Sequence, residues 1–250
     1  NDVARYRNFS RSESALSENA LEVMNGVTAL YEGQKGFSGG LTVTLMGQES
    51  FKSKDPWAAR VKYMRHGEVN SSSLLIEFAH WSRKGVVTPN DNRLLLSGLD
   101  YNGQVVGVAG FQLMCSEWSA SVNMCPRLWP TALCSFIAAH EMGHNIGMPH
   151  DGETNGCAVA GYIMGAQYTP NSKKEFSDCS IASFNKWVAT RRIKNSNCLA
   201  TRLDGGGGGE GGGGGISGAI AKDGASDLPV PLLASLILPI ASSMARWSLG

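Results

Sequence analysis

Apolar residues recur at helical spacing across residues 12–32, with Leu16, Ala20, Val23, Met24, Val27, Leu30 and Tyr31 on one face. Gly33 is the stop signal. The period then changes. Leu41-Thr42-Val43-Thr44-Leu45 alternates apolar and polar positions, which predicts a strand, and Asp55-Pro56-Trp57 marks a loop. A second helix is predicted from about Ser72 to Lys84, with Leu74, Leu75, Phe78 and Trp81 inward and Gly85 as its stop. The Asn70-Ser71-Ser72-Ser73 run supplies its cap. Arg93–Ser97 and Gln104–Phe111 read as two strands, and Asn102-Gly103 between them signals a hairpin turn. Gly107, lacking a side chain, would let this strand pass close to another backbone. An edge strand of this kind can pair with an extended peptide through main-chain hydrogen bonds.

The stretch that follows, with Cys115, Cys125, Pro126 and Pro130, reads as a loop. A helix is then predicted from near Thr131 to about Asn145. Ala132, Leu133, Phe136, Ile137 and Ala138 make it apolar around nearly its whole circumference, so it should be buried. A Gly-rich loop leads to Tyr162-Ile163-Met164-Gly165. The last helix is predicted from about Ser180 to Lys194, with Ile181, Phe184, Trp187, Val188 and Ile193 on its core side and Ser177-Asp178 at its cap. The order helix, strand, helix, strands, helix, helix favours an α/β or α+β domain with a mixed, twisted sheet.

The character changes after Leu203. Residues 205–215 are glycine except for Glu210, the composition of a flexible linker. Residues 216–227 are small and polar. Leu228 to Ala245 is uncharged and apolar but broken by Pro229, Pro231 and Pro239. Its length approaches a membrane span, its prolines oppose a helix, and Gly224-Ala225-Ser226 ahead of it resembles a lipid-anchor signal. A disordered or altered terminus, a lipid anchor and a span are the three readings of residues 216–250. The domain boundaries expected are therefore 1–204, 205–215 and 216–250.

Composition narrows the partners. The formal net charge of +1 gives no basis for nucleic acid or an anionic membrane surface as the main partner. Six cysteines, Cys115, Cys125, Cys134, Cys157, Cys179 and Cys198, include no C-x-x-C pair. Disulfides in an oxidising compartment are favoured over thiolate zinc binding, and six cysteines allow 15 connectivities. Asn8-Phe9-Ser10 and Asn70-Ser71-Ser72 are glycosylation acceptors that suit a secretory route. The start carries no signal-peptide pattern, as expected of a processed chain or a fragment.

The chemistry concentrates in His140-Glu141-Met142-Gly143-His144-Asn145-Ile146-Gly147-Met148-Pro149-His150-Asp151. His140 and His144, four apart, share a helix face and can grip one metal ion. Glu141 lies beside that ion, where it can act on water. Gly147 lets the chain leave the helix abruptly and bring His150 back as a third ligand. Three nitrogens with one open position describe a catalytic zinc site, whereas a structural site closes all four. The blander alternative is a helix with surface histidines. His66 and His80 read as ordinary surface or core residues.

These residues, followed by Ile163-Met164, resemble the adamalysin (reprolysin) metalloproteases, a metzincin family that includes snake-venom metalloproteases, ADAM proteases and ADAM proteases with thrombospondin motifs. Asp151 after the third histidine is the adamalysin mark. Ser97-Gly98-Leu99-Asp100-Tyr101, Gly107-Val108-Ala109, Phe176-Ser177-Asp178-Cys179-Ser180 and Asn197-Cys198-Leu199 extend the resemblance over roughly residues 1–200.

The resemblance implies a metzincin α/β fold with a buried zinc-binding helix, a methionine turn at Met164 and a smaller disulfide-bonded C-terminal subdomain. It implies Gly107, Val108 and Ala109 as the substrate-side edge strand, and pairs Cys115 with Cys198, Cys157 with Cys179 and Cys125 with Cys134. It offers Asp100 as a structural calcium ligand. Here the sequence departs from the family, since Leu199-Ala200-Thr201-Arg202 follows the final cysteine without the usual asparagine. The implied activity is that of a secreted, monomeric zinc endopeptidase that hydrolyses internal bonds of extracellular proteins, with Glu141 as general base and acid. Residues after Met164, Ala166 to Pro170, would wall the specificity pocket. The alternative is a silent protease-fold module that binds an extracellular partner.

Overall fold

The computed structural model describes residues 1–38, 40–85 and 90–193. The order is α1 (Val3–Asn8), α2 (Glu13–Glu32), a short 3-10 turn (Ala58–Arg60), α3 (Ser71–Gly85), β1 (Arg93–Ser97), β2 (Gly107–Ala109), β3 (Ala120–Met124), α4 (Thr131–Asn145) and α5 (Asp178–Ile193). The expected glycine linker and tail, residues 205–250, lie outside the described residues. Among the described residues, no helix is long and apolar enough to cross a membrane.

The long helices follow their apolar periodicity. Leu16, Ala20, Val23, Val27 and Tyr31 are the buried face of α2. The Ser12 hydroxyl caps it by accepting from the Ala15 amide. Asn70 caps α3 through Oδ1, which accepts from the Ser73 amide at 2.8 Å. That role leaves this glycosylation candidate half-buried, whereas Asn8, at the end of α1, is exposed. Helix α1 has no apolar stripe long enough to predict it. Instead Asp2 caps it by accepting from the Arg5 amide, and the fully buried Arg5 anchors it by donating Nε–H to the Cys125 carbonyl at 2.9 Å.

The sheet corrects the expected hairpin. Strand order is β1-β3-β2, with β1 and β3 parallel and β2 and β3 antiparallel. The turn at Asn102-Gly103 exists, and Gly103 takes φ +69°. The strands on either side of it do not pair, because β3 lies between them. Residues 120–124, expected to be loop, form this central strand. It is buried on both faces, polar residues included, so no alternation betrays it. Asn123 pairs its buried amide nitrogen by donating to the Leu95 carbonyl and to Ser121.

The strand expected at Leu41–Leu45 has no ladder. Residues 41–49 and β1 residues Arg93–Leu96 together line a cavity of about 590 Å³, so the two edges are not in hydrogen-bonding contact there. Residues 1 and 2 bridge them at one end: the Phe51 amide donates to the Asn1 carbonyl, and the Asp2 amide to the Leu96 carbonyl. An alternating segment without a neighbour at ladder spacing stays extended but is not a strand.

Two larger apolar clusters flank the sheet. One gathers Trp57, Leu74, Leu75, Phe78, Leu95 and Val122. The other gathers Tyr31, Phe136, Ile146, Met148, Ile163, Met164, Phe184 and Trp187 around α4. Removing one of their fully buried aliphatic side chains from water contributes about 1.5–3 kcal/mol. Disulfides join Cys125 to Cys134 and Cys157 to Cys179. The expected partner of Cys115, Cys198, lies outside the described residues.

Candidate metal centre

Helix α4 is held on several sides before any ligand is considered. The Ser135 hydroxyl donates to the Val23 carbonyl of α2, and Tyr31 donates to the Ala139 carbonyl at 2.8 Å. Asn145, fully buried, donates Nδ2–H to the carbonyls of Gly110 and Ala120. The helix closes in a Schellman motif: the Met148 amide donates to the Gly143 carbonyl and the Gly147 amide to the His144 carbonyl. Gly147 takes φ +88°, and its Cα faces the Trp187 indole, so a side chain is excluded twice over. The chain then doubles back and presents His150 to the face carrying His140 and His144.

The three Nε2 atoms lie 3.1–3.2 Å apart. Each Nδ1 faces an oxygen: His140 the Ile163 carbonyl at 2.6 Å, His144 the Met148 carbonyl at 2.8 Å, and His150 the Glu153 carboxylate at 2.9 Å. A carbonyl or carboxylate can only accept, so Nδ1 carries the proton in each ring and Nε2 presents its lone pair. Three lone pairs facing one another are not hydrogen-bonded to each other. They repel unless a cation stands between them. Zinc–nitrogen bonds of 2.0–2.1 Å at tetrahedral angles put ligand nitrogens about 3.3 Å apart, so the cluster fits a zinc ion. It is the one group of metal-ligating side chains of this kind among the described residues. Burial lowers His140 to about 3, with His150 adding to the effect. It also lowers His144 well below its ordinary value. Both rings therefore stay neutral, as metal ligation requires.

Glu141 is buried, and burial pushes its carboxyl up to about 8. It packs against β2, where Gly107 leaves room for it: a Cβ at Gly107 would lie 2.7 Å from the Glu141 carboxyl carbon. The close approach at Gly107 is thus to a side chain, not to another backbone as expected. Glu141 Oε2 is buried without a hydrogen-bond partner among the described residues. A buried carboxylate oxygen without a partner, on the residue that follows the first of the three converging histidines, is a further sign that a polar reactant belongs here.

Met164 is fully buried under α4, and Gly143 makes way for its sulfur. Its carbonyl accepts from the Asp151 amide at 2.9 Å. Asp151 is fully buried and accepts from the hydroxyls of Ser177 and Ser180 at 2.6 and 3.1 Å, tying the ligand loop to the start of α5. Asp100 is exposed, and the C-terminal residues that would share a calcium ion with it lie outside the described residues. His66 is exposed and His80 stacks edge-on with Trp118, both apart from the cluster. Sequence reasoning missed Glu153. An acidic residue three positions after the last ligand was its only signal.

A buried helix carrying His140, Glu141 and His144, with a third histidine returned by a glycine turn, defines a zinc-metalloprotease type of centre. A family model described as "Reprolysin (M12B) family zinc metalloprotease" matches residues 1–202, and the chain belongs to that family. Among curated relatives it is 26% identical over 196 residues to snake venom metalloproteinase acutolysin-C of Deinagkistrodon acutus. That alignment covers 77% of this chain and 43% of the relative, so the chain spans less than half of that protein's length. A solved structure titled "Structure of a chaperone-substrate complex" matches with a TM-score of 0.46 at 17% identity, over 74% of this chain and 32% of that one.

Proposed function

We propose that this protein is an extracellular zinc endopeptidase. The observation that carries the reading is the convergence of the three histidine Nε2 lone pairs on one point, with the buried Glu141, whose Oε2 has no partner among the described residues, next to His140 on the same helix. When bound, zinc supplies a Lewis acid for the scissile carbonyl and a water acidic enough to attack near neutral pH. His140, His144 and His150 hold it in their neutral form. Glu141 accepts the proton as the water attacks and delivers it to the leaving amine. Burial raises its pKa and so favours its holding a proton, and a nearby cation would draw that value down.

Among the described residues, β2 is an edge strand of the sheet. Gly107, Val108 and Ala109 can add an extended substrate as a further strand beside the metal. Residues 166–170 follow Met164 and carry Tyr168, whose ring packs edge-on against Phe136 at 5.0 Å. They form the wall expected to set specificity. The two disulfides support an oxidising, extracellular location.

The test is to incubate the protein with a denatured protein substrate, with and without a zinc chelator, alongside Glu141→Gln. Chelator-sensitive fragmentation that falls by about 10²–10⁴-fold in the variant, with zinc still bound, is expected. Undiminished cleavage by the variant or the zinc-free protein overturns the reading. Absence of cleavage together with tight binding of a protein partner favours a non-catalytic module instead.

A further inference from the structure

The three ligand histidines are not oriented alike. His140 and His144 sit on α4 and donate Nδ1–H to main-chain carbonyls that the helix end and the Ile163–Met164 segment hold in place. His150 lies beyond the helix in a loop, so no regular element fixes its ring. Its Nδ1–H is met by a charged side chain, Glu153 Oε1, at 2.9 Å.

We propose that Glu153 is a positioning residue for the third metal ligand, holding the His150 ring in its metal-facing orientation and strengthening Nε2 as a donor. The proposal rests on the reading of His140, His144 and His150 as a zinc site. Both partners are sheltered, with side chains 10% and 13% exposed. Glu153 Oε2 is buried without a partner among the described residues, so its charge is directed at His150. The loop around it is braced. Asn155 donates to the His150 carbonyl at 3.2 Å, and its Oδ1 accepts from the amides of Gly152 and Cys157. The Cys157–Cys179 disulfide then ties the loop to α5. A carboxylate accepts more strongly than a carbonyl and raises the basicity of the imidazole it holds. Glu153 also places a negative charge behind one ligand, which favours a divalent cation at the centre.

The zinc dissociation constant, measured by competition with a chromophoric chelator at fixed neutral pH, tests this, together with the visible spectrum of the cobalt(II)-substituted protein. Glu153→Ala is expected to weaken zinc binding by about 10–100-fold. Glu153→Gln, which keeps an acceptor oxygen but not the charge, should fall between it and the parent. The cobalt(II) bands should shift in Glu153→Ala and stay unchanged in Glu13→Gln, a remote surface control. Circular dichroism checks folding, and if Glu153→Ala does not fold, Glu153→Gln carries the test alone with an expected loss of at least about threefold. Dissociation constants within twofold of the parent for every folded Glu153 variant overturn the proposal. A parent that binds no zinc overturns the metal-site reading itself and this inference with it. A parent that binds zinc and loses it in His144→Ala upholds the site whatever Glu153 does.

Discussion

Gly107 and Glu141 form a matched pair: the carboxylate occupies the space that any side chain on that part of β2 would fill. The sheet edge and the helix carboxylate are therefore set against each other by one missing methyl group. Gly107→Ala would displace the carboxyl from its place against β2. Misplacement of a reacting group by about 1 Å costs on the order of 10²-fold in rate. The expected outcome is a loss of kcat/KM of about that size with zinc content unchanged, measured by peptide hydrolysis and metal analysis. Ala109→Gly, on the same strand, should retain most of the activity.

Gly147 carries the helix exit. Its φ of +88° and the Trp187 side chain 2.9–3.1 Å from where a Cβ would sit make Gly147→Ala strained in both backbone and packing. A stability loss of about 1–3 kcal/mol is expected in denaturant unfolding. Zinc affinity should fall as well, because the turn sets where His150 returns.

Removing zinc should lower the melting temperature. At free zinc about 100-fold above its dissociation constant, binding adds about 2.7 kcal/mol. For a domain of this size that corresponds to about 5–10 °C. Differential scanning calorimetry with and without chelator measures it. His144→Ala should melt at the same temperature in both conditions.

Asp55 gives a pH dependence remote from the metal. Its Oδ1 accepts from the Val3 amide at 2.9 Å. Burial pushes its carboxyl up to about 6, with nearby Asp2 adding to the effect. A raised carboxyl pKa penalises the ionised folded state. The penalty is absent below the unfolded value near 3.9, grows as pH rises towards 6, and is complete above it. Asp55→Asn keeps the acceptor and removes the ionisation. It should stabilise the protein by about 1 kcal/mol at pH 7.5, after allowance for the carboxyl's partial contact with solvent, and by nearly nothing at pH 4. Urea denaturation at the two pH values measures the difference.

The features that depend on near neighbours were legible in the order of residues. The faces of α2, α3 and α4 follow from apolar spacing, and the Asn70 cap and the Gly147 exit follow from local backbone chemistry. The i, i+4 geometry of His140 and His144 is likewise a property of one helix. Tertiary structure decided what depends on residues distant along the chain. The parallel pairing of β1 with β3 left no mark in local alternation, because β3 is buried on both faces and carries Ser121 and Asn123 in its core. Leu41–Leu45 has the alternation of a strand, but a ladder needs a partner at hydrogen-bonding distance, and a cavity lies along that stretch instead. Glu153 reaches His150 because the loop is folded back by Asn155 and held by Cys157–Cys179, and spacing alone could not orient that carboxylate. Ligand identity is a matter of residue type and local spacing. Ligand orientation is a matter of the hydrogen-bond acceptor that packing brings to the far side of each ring.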